Sequence, residues 1–292
     1  MHDSDEPPSP GELLAAVRGC EGLVVMLTDA VGDELLEAAG PELRVVANYA
    51  VGVDNVDLAA AARRGVVVAN TPDVLTGATA ELTLTLLLAL ERRLLEGDRL
   101  LRRREPWVWA PTFLLGTGLT GKTIGLVGLG RIGSRVARLA EAFGMDVVYT
   151  NRSGARDDAP WPRLALGDLL ARSDAVSLHT PLTTDTRHLL GRAELRVMKR
   201  SAVLVNTARG PLVDESALAE ALADGTIAGA ALDVFEHEPE VTEALLGLEN
   251  VVLAPHLGSA TEETRVAMGM LCVQALTAVL LDHRVPENAV SA

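Results

Sequence analysis

The sequence predicts an α/β protein built from two doubly wound parallel sheets. Three observations carry that prediction. Short runs of Val, Leu, Ile and Ala alternate with helical stretches, the order that lays helices on both faces of a parallel sheet. The runs are continuously apolar rather than alternating in and out, as strands buried on both faces require. The chain has 292 residues, 48% of them apolar, 23% charged and only 3% aromatic, enough for two domains with aliphatic cores.

Strands are expected at 23–27 (LVVML), 44–48 (RVVAN) and 66–69 (VVVA), with helices at 33–39 and 57–64 between them. Thr71-Pro72 closes this first series, and a long helix is expected over 77–103. "WVWAPTFLLGTGLTGK" (107–122) interrupts the pattern. A second series follows, with strands at 123–127, 146–149, 175–178, 202–206, 228–232 and 251–253 and helices at 131–143 and 214–224. The last helix, 261–281, comes after the second sheet is complete and is expected to return to the first domain. The expected division is 1–73 with 261–292 as one discontinuous domain and 74–260 as a second domain inserted in it.

The formal net charge of −14 argues against nucleic acid or an anionic membrane surface as partner. The basic runs at 91–93 and 102–105 read as solvated helix surface. Cys20 and Cys272 lack metal-ligand spacing and read as packed thiols in a reducing compartment, so neither a metal nor a disulfide is expected. The acidic, Pro-rich start has no apolar run of the signal-peptide kind. The apolar stretch "AELTLTLLLALERRLLEG" meets charge too early to span a bilayer. A soluble cytoplasmic protein is expected.

"TIGLVGLGRIGSRVARLAEAFGMDVVYTNRS" supplies a strand, a GxGxxG turn, an amphipathic helix and a second strand. Gly128 suits the tight turn, Gly130 lets the backbone approach a pyrophosphate, and Gly133 lets the helix pack on the strand. The free N–H groups near Arg131 and Ile132 and the helix dipole favour the same anion. The second domain is therefore expected to be a Rossmann dinucleotide-binding domain. Such folds usually carry an acid at the end of the second strand to accept from a ribose 2′-OH. Here Asn151, Arg152 and Ser153 stand there instead, offering donors and a fixed positive charge suited to a 2′-phosphate. NADP(H) is the expected cofactor, with NAD(H) possible. The alternative is that Arg152 faces solvent or stacks on adenine, with looser cofactor choice.

A nicotinamide implies hydride transfer, which needs a proton donor and a substrate anchor. Three residues beyond predicted strand ends suit those roles: Arg209 in "VNTARG", Glu238 in "LDVFEHEP" and His256 in "LAPHLGSA". His256 can protonate a carbonyl oxygen. Glu238 can accept from its other ring nitrogen, fixing the tautomer and favouring the imidazolium. Arg209 can polarise the carbonyl and hold an adjacent carboxylate. Each alone has a plain alternative as a surface or turn residue; their joint placement is what speaks for a site. His179 in "LHTPLT" also follows a strand and ranks second, because no carboxylate is placed to orient it.

These residues resemble the D-isomer-specific 2-hydroxyacid dehydrogenases, closest to the glyoxylate/hydroxypyruvate reductases, from about residue 12 to the end of the chain. The landmarks are the 47–99 stretch, "GKTIGLVGLGRIGSRVA", "HTPLTTDTRHLLG", "VNTARGPLVDESALAEAL", "ALDVFEHEP" and "APHLGSAT". The resemblance implies catalysis by Arg209, Glu238 and His256, with backbone N–H groups of Val51 and Gly52 on the substrate carboxylate. It implies Thr79 on the cofactor phosphates, and Thr180, Pro181 and Thr186 near the adenosine half. It places Thr207, Ala208 and Gly258 along the cofactor, and Asp233 on the nicotinamide carboxamide. It implies a flavodoxin-like substrate domain and a homodimer, with the apolar helix 77–96 as the candidate contact; a core role within one subunit is the alternative.

The chain departs from the family pattern at its start. The first strand candidate, 23–27, looks like the family's second, so the substrate domain is expected to lack its usual first strand. Gly77 replaces the acid usual at its position. The leading expectation is NADPH-dependent reduction of a small 2-oxoacid to the D-2-hydroxyacid. The alternatives are an NAD-dependent dehydrogenase of a larger 2-hydroxyacid or phosphoglycerate, and a non-enzymatic cofactor-sensing protein.

Overall fold

Parallel strands joined by helical crossovers form two separate sheets in the computed structural model, which describes residues 8–152, 154, 156 and 158–290. The chain divides into two compact units, Met1–Leu75 with Ala260–Ala292, and Thr76–Ser259.

The first unit begins with α1 (Pro10–Ala16), β1 (Gly22–Val25), α2 (Asp33–Ala39), β2 (Val45–Asn48), α3 (Leu58–Arg63) and β3 (Val67–Ala69). Its sheet runs β1-β2-β3 in parallel. From the far end of the chain, α11 (Glu262–Leu280) lies against these three strands. By length and composition α11 could cross a membrane. Met268, Cys272, Ala275 and Ala278 are nevertheless buried, and Cys272 and Ala275 pack with Ala47 of β2 and Ala69 of β3. A two-residue strand, β10 (Ala289–Val290), adds antiparallel to β3. Among the described residues β2 is the strand that pairs with β1, so β1 forms an edge.

The second unit holds α4 (Thr76–Glu91), α5 (Leu94–Arg102), β4 (Thr123–Val127), α6 (Arg131–Ala142), β5 (Asp146–Thr150), α7 (Leu166–Arg172) and β6 (Ala175–Leu178). It continues through α8 (Arg192–Val197), β7 (Val203–Asn206), α9 (Glu215–Ala223), β8 (Gly229–Leu232), α10 (Glu243–Leu246) and β9 (Val251–Leu253). All six strands are parallel in the order β5-β4-β6-β7-β8-β9. β6, β7 and β8 are buried along their whole length. One core cluster gathers Val176, Leu204, Leu218 and Leu232; another gathers Leu87, Leu126, Val205 and Ala231. Adjacent residues of β7 and β8 thus feed opposite clusters, which is why these strands read as unbroken apolar runs. The strand order reverses at β4, which is flanked by β5 and β6. In open α/β sheets, ligands bind in the crevice at the carboxyl ends beside such a reversal.

One expectation needs correction. The helix expected over 77–103 is two helices, interrupted at Arg93, whose φ is +52°. The Glu91 carbonyl takes the N–H of Thr117, 2.8 Å away, from the segment that crosses the end of α4. The candidate dimer helix is largely a core element. Ala80, Thr83, Leu84, Leu86 and Leu87 of α4 are buried, and α4 packs on α6 of its own unit. The exposed apolar surface lies beyond it, on Leu94, Leu101, Trp107, Val108, Trp109 and Leu115.

Leu87 is fully buried between α4 and the sheet. Leu87→Ala is expected to cost about 2–5 kcal/mol of stability, the range for buried Leu truncations, read as a lowered denaturant midpoint at unchanged slope.

Candidate active site

The glycine turn joins β4 to α6 at the strand-order reversal. Gly128 has φ +100°, open to glycine and strained for other residues, and a Cβ there would meet the His179 carbonyl oxygen at 2.5 Å. A Cβ on Gly133 would meet the Gly128 carbonyl oxygen at 2.3 Å, so the helix rests directly on the turn. At Gly130 a Cβ would meet nothing within 4 Å, leaving open space in front of the backbone. The twelve-residue helix α6 starts there with no side-chain cap on its first N–H groups. A cramped turn, an open approach and uncapped N–H groups fit a dinucleotide pyrophosphate.

A second constellation forms beyond the carboxyl ends of β7, β8 and β9. His256 Nδ1 lies 2.7 Å from Glu238 Oε2. Glu238 Oε1 accepts the Phe235 N–H at 2.9 Å. Gly210 lies so close to the Phe235–Glu236 peptide that a Cβ would meet the Phe235 carbonyl carbon at 1.9 Å. The segment bearing Arg209 is therefore packed on the loop bearing Glu238. Asn206 shapes that segment, donating to the Arg209 carbonyl at 2.8 Å and accepting from the Ala208 N–H at 3.1 Å. Arg209 Nη1 donates to the Ala208 carbonyl at 2.8 Å.

Burial pushes the Glu238 carboxyl up, but the His256 hydrogen bond and charge, the Phe235 N–H and the Arg209 guanidinium outweigh it and hold it below the ordinary range. Glu238 is thus a carboxylate at neutral pH, and Nδ1–H of His256 is its natural donor. That leaves Nε2 as the second ring nitrogen. His256 has φ +54°, in the left-handed region, and its N–H is held by the Asp233 carbonyl at 2.8 Å.

The NAD-binding domain of the D-isomer specific 2-hydroxyacid dehydrogenases matches residues 84–258. This chain belongs to that family. It is thereby an NAD(P)-dependent oxidoreductase. The glyoxylate reductase of Aeropyrum pernix is 48% identical over 99% of this chain and 88% of its own, and that of Thermococcus litoralis matches to the same extent. A crystal structure from Thermus thermophilus superposes with a TM-score of 0.92 at 49% identity, covering 98% of this chain and 91% of that one. The NADPH-dependent glyoxylate/hydroxypyruvate reductase of Sinorhizobium meliloti, solved with NADP and malonate, gives a TM-score of 0.86 at 40% identity, over 94% of this chain and 85% of that one.

Within this dehydrogenase, several residues assigned to the cofactor also have protein partners. Asp233 is fully buried and both its oxygens are engaged, by the N–H groups of Leu257 at 2.6 Å and Gly258 at 2.8 Å. Burial outweighs those N–H groups and the His256 charge and holds its carboxyl above the ordinary range. It ties the loop after β9 to the end of β8, and each oxygen keeps a further acceptor lone pair. Thr79 is buried and donates to the Gly258 carbonyl of the same loop at 3.0 Å. Thr207 shares a hydrogen bond with Thr83 at 2.9 Å. Thr186 Oγ1 accepts the Thr183 N–H at 2.7 Å and donates to the Pro181 carbonyl at 2.8 Å, fixing the turn after Thr180.

Around the end of β5, Asn151 Oδ1 accepts the Leu129 N–H at 2.7 Å, and Arg152 pairs with Asp185. Arg131 and Ile132 open α6, and Ser153 lies outside the described residues. In the other unit, the carbonyls of Val51 and Gly52 accept from Asn70 at 2.7 Å and Asn48 at 2.8 Å, while no hydrogen bond takes their N–H groups among the described residues. Sequence reasoning missed Asn206. The signal for Asn206 was its place at the end of a buried run and before a turn.

His179, which ranked behind His256, packs under the glycine turn, its Cβ 3.4 Å from a Cβ placed on Gly133, with Nε2 2.9 Å from Ser177 Oγ. Burial lowers it from 6.5 to about 4. Its folded value lies below its unfolded one, so the unfolded chain binds the extra proton in that window, and stability falls as pH drops from 6.5 toward 4. Comparing chemical denaturation of the ligand-free protein near neutral pH and at about pH 5, His179→Gln is expected to remove ~2 kcal/mol of the acid destabilisation. An undiminished pH dependence in the variant would assign that loss to other groups.

Proposed function

We propose that the protein reduces a small 2-oxoacid of the glyoxylate or hydroxypyruvate type to the D-2-hydroxyacid with NADPH. The observation that carries this reading is the His256–Glu238 hydrogen bond at 2.7 Å, in the electrostatic reach of Arg209 and at the strand ends of the cofactor-binding unit. The names of the most similar relatives support the substrate class.

Reduced nicotinamide, when bound, supplies a hydride to the carbonyl carbon. His256 Nε2 donates a proton to the carbonyl oxygen in the same conversion, and takes it back in the oxidative direction. Glu238 accepts from Nδ1–H, so the doubly protonated ring donates from Nε2 in reduction, and the neutral Nδ1–H ring it leaves takes the proton back at Nε2 in oxidation. Arg209 polarises the carbonyl and pairs with the neighbouring carboxylate, a bidentate geometry suited to a 2-oxoacid. The Val51 and Gly52 N–H groups are assigned to a substrate carboxylate; the Thr71 N–H on the Ala50 carbonyl and the Asn70 side chain on the Val51 carbonyl orient those two amides.

Two features support NADPH over NADH. No carboxylate stands at the end of β5, where Asn151 and Arg152 occupy the position that reads the ribose 2′ group. Arg152 is 75% exposed, so a phosphate can reach it. The protein works in the cytoplasm as a homodimer in this reading. The exposed apolar surface of α5 and 107–115, where Val108 and Trp109 are 79% and 77% exposed, is the contact.

His256→Gln tests the central role. Following the near-ultraviolet absorbance of the reduced nicotinamide with glyoxylate and hydroxypyruvate, kcat is expected to fall by about 10²–10⁴. NADPH binding, read by nicotinamide fluorescence, is expected to persist. Turnover close to that of the unmodified protein would remove His256 as proton donor.

A further inference from the structure

We propose that Asp185 determines cofactor specificity: its carboxylate holds Arg152 across the glycine turn and competes for it with the cofactor's 2′-phosphate. The inference rests on the reading of Arg152 as the phosphate partner and adds a second, opposing residue to that site.

The placement follows from the sheet. β5 and β6 pair with opposite edges of β4, so the segments leaving their carboxyl ends rise on either side of the glycine turn. With neighbouring strands about 4.8 Å apart, those two walls stand roughly 10 Å from one another. Arg152 is on the first wall and Asp185 on the second. Their Nη1 and Oδ2 atoms are 3.4 Å apart, with side chains 75% and 76% exposed. This ion pair therefore spans the crevice at its adenosine end.

Neighbouring arginines are tied up within their own wall. Arg156 forms a two-point pair with Asp158 at 2.9 and 2.6 Å and donates to the Leu129 carbonyl at 2.7 Å. Arg163 donates to the Asn151 carbonyl at 3.0 Å. Arg152 instead reaches a carboxylate on the opposite side. Asp185 sits in the turn that Thr186 closes onto Thr183 and Pro181, so its backbone is fixed where the chain presents it.

An ion pair this exposed is weak and yields to a phosphate that offers Arg152 more charge and two acceptor oxygens. The displaced carboxylate then faces that phosphate and repels it. A ribose 2′-OH, by contrast, can donate to the carboxylate. Arg152 thus favours NADPH while Asp185 opposes that preference, and the ratio of the two cofactors reports the balance.

The test measures Kd and kcat/KM for NADPH and NADH in the full chain and in Asp185→Asn, Asp185→Glu and Arg152→Ala. Asp185→Asn is expected to raise the NADPH-to-NADH ratio by about fivefold, chiefly through tighter NADPH binding, with the gain shrinking in high salt. Asp185→Glu keeps the charge and should stay near the original ratio, whereas a merely structural role would move both variants alike. If Arg152→Ala weakens NADPH binding but Asp185→Asn leaves the ratio unchanged, the role of Asp185 is overturned and the phosphate reading stands. If Arg152→Ala leaves NADPH binding intact, the phosphate reading itself falls and this inference with it.

Discussion

The buried carboxylate of Asp233 is the constraint on which the catalytic geometry depends. It sits at the end of β8 with no solvent contact, a costly place for a charge unless donors surround it. The donors are the N–H groups of Leu257 and Gly258, and the carbonyl of the same residue holds the N–H of His256. Three consecutive amides of the loop after β9 are thereby pinned to one residue. The imidazole emerges from a left-handed backbone that this anchoring maintains. Thr79 adds a fourth tie by donating to the Gly258 carbonyl from α4.

A second layer of fixation places the carboxylate partner. Phe235 and Gly210 are packed backbone to backbone, which brings the loops of Glu238 and Arg209 into direct contact. Glu238 is then held by a hydrogen bond on each oxygen, from Phe235 and His256. The cationic groups around it stabilise its ionised form against the cost of burial. Pre-set charge of this kind needs no rearrangement at the moment of reaction.

The crevice is built the opposite way at its adenosine end. There the glycine turn is cramped on the β6 side and open at Gly130, and Arg152 and Asp185, proposed to govern cofactor choice, lie on exposed turns. Rigid elements hold the reacting atoms, while recognition of the cofactor's periphery is left to solvent-screened charges, each worth little alone. Cofactor preference is for that reason easier to alter than catalysis.

The sequence by itself determined the strand runs, the glycine turn and the residue types at the strand ends, because burial on both faces and the demands of a pyrophosphate leave few alternatives at those positions. It also carried a signal that went unread: Ser9 and Glu12 form the capping box that starts α1, in an S-x-x-E pattern. Short helices such as α8, with six residues, and the two-residue β10 have too little periodicity to register locally; neighbours decide them. Only the tertiary structure decided how polar groups are partnered. Asp233 and Thr79 tie down the loop of His256, and α4 fills its own unit's core. Hydrogen bonds between residues 179 and 25 positions apart, Thr79 to Gly258 and Asp233 to Gly258, are set by which chain ends the sheet brings together, and nothing in the local sequence encodes that proximity.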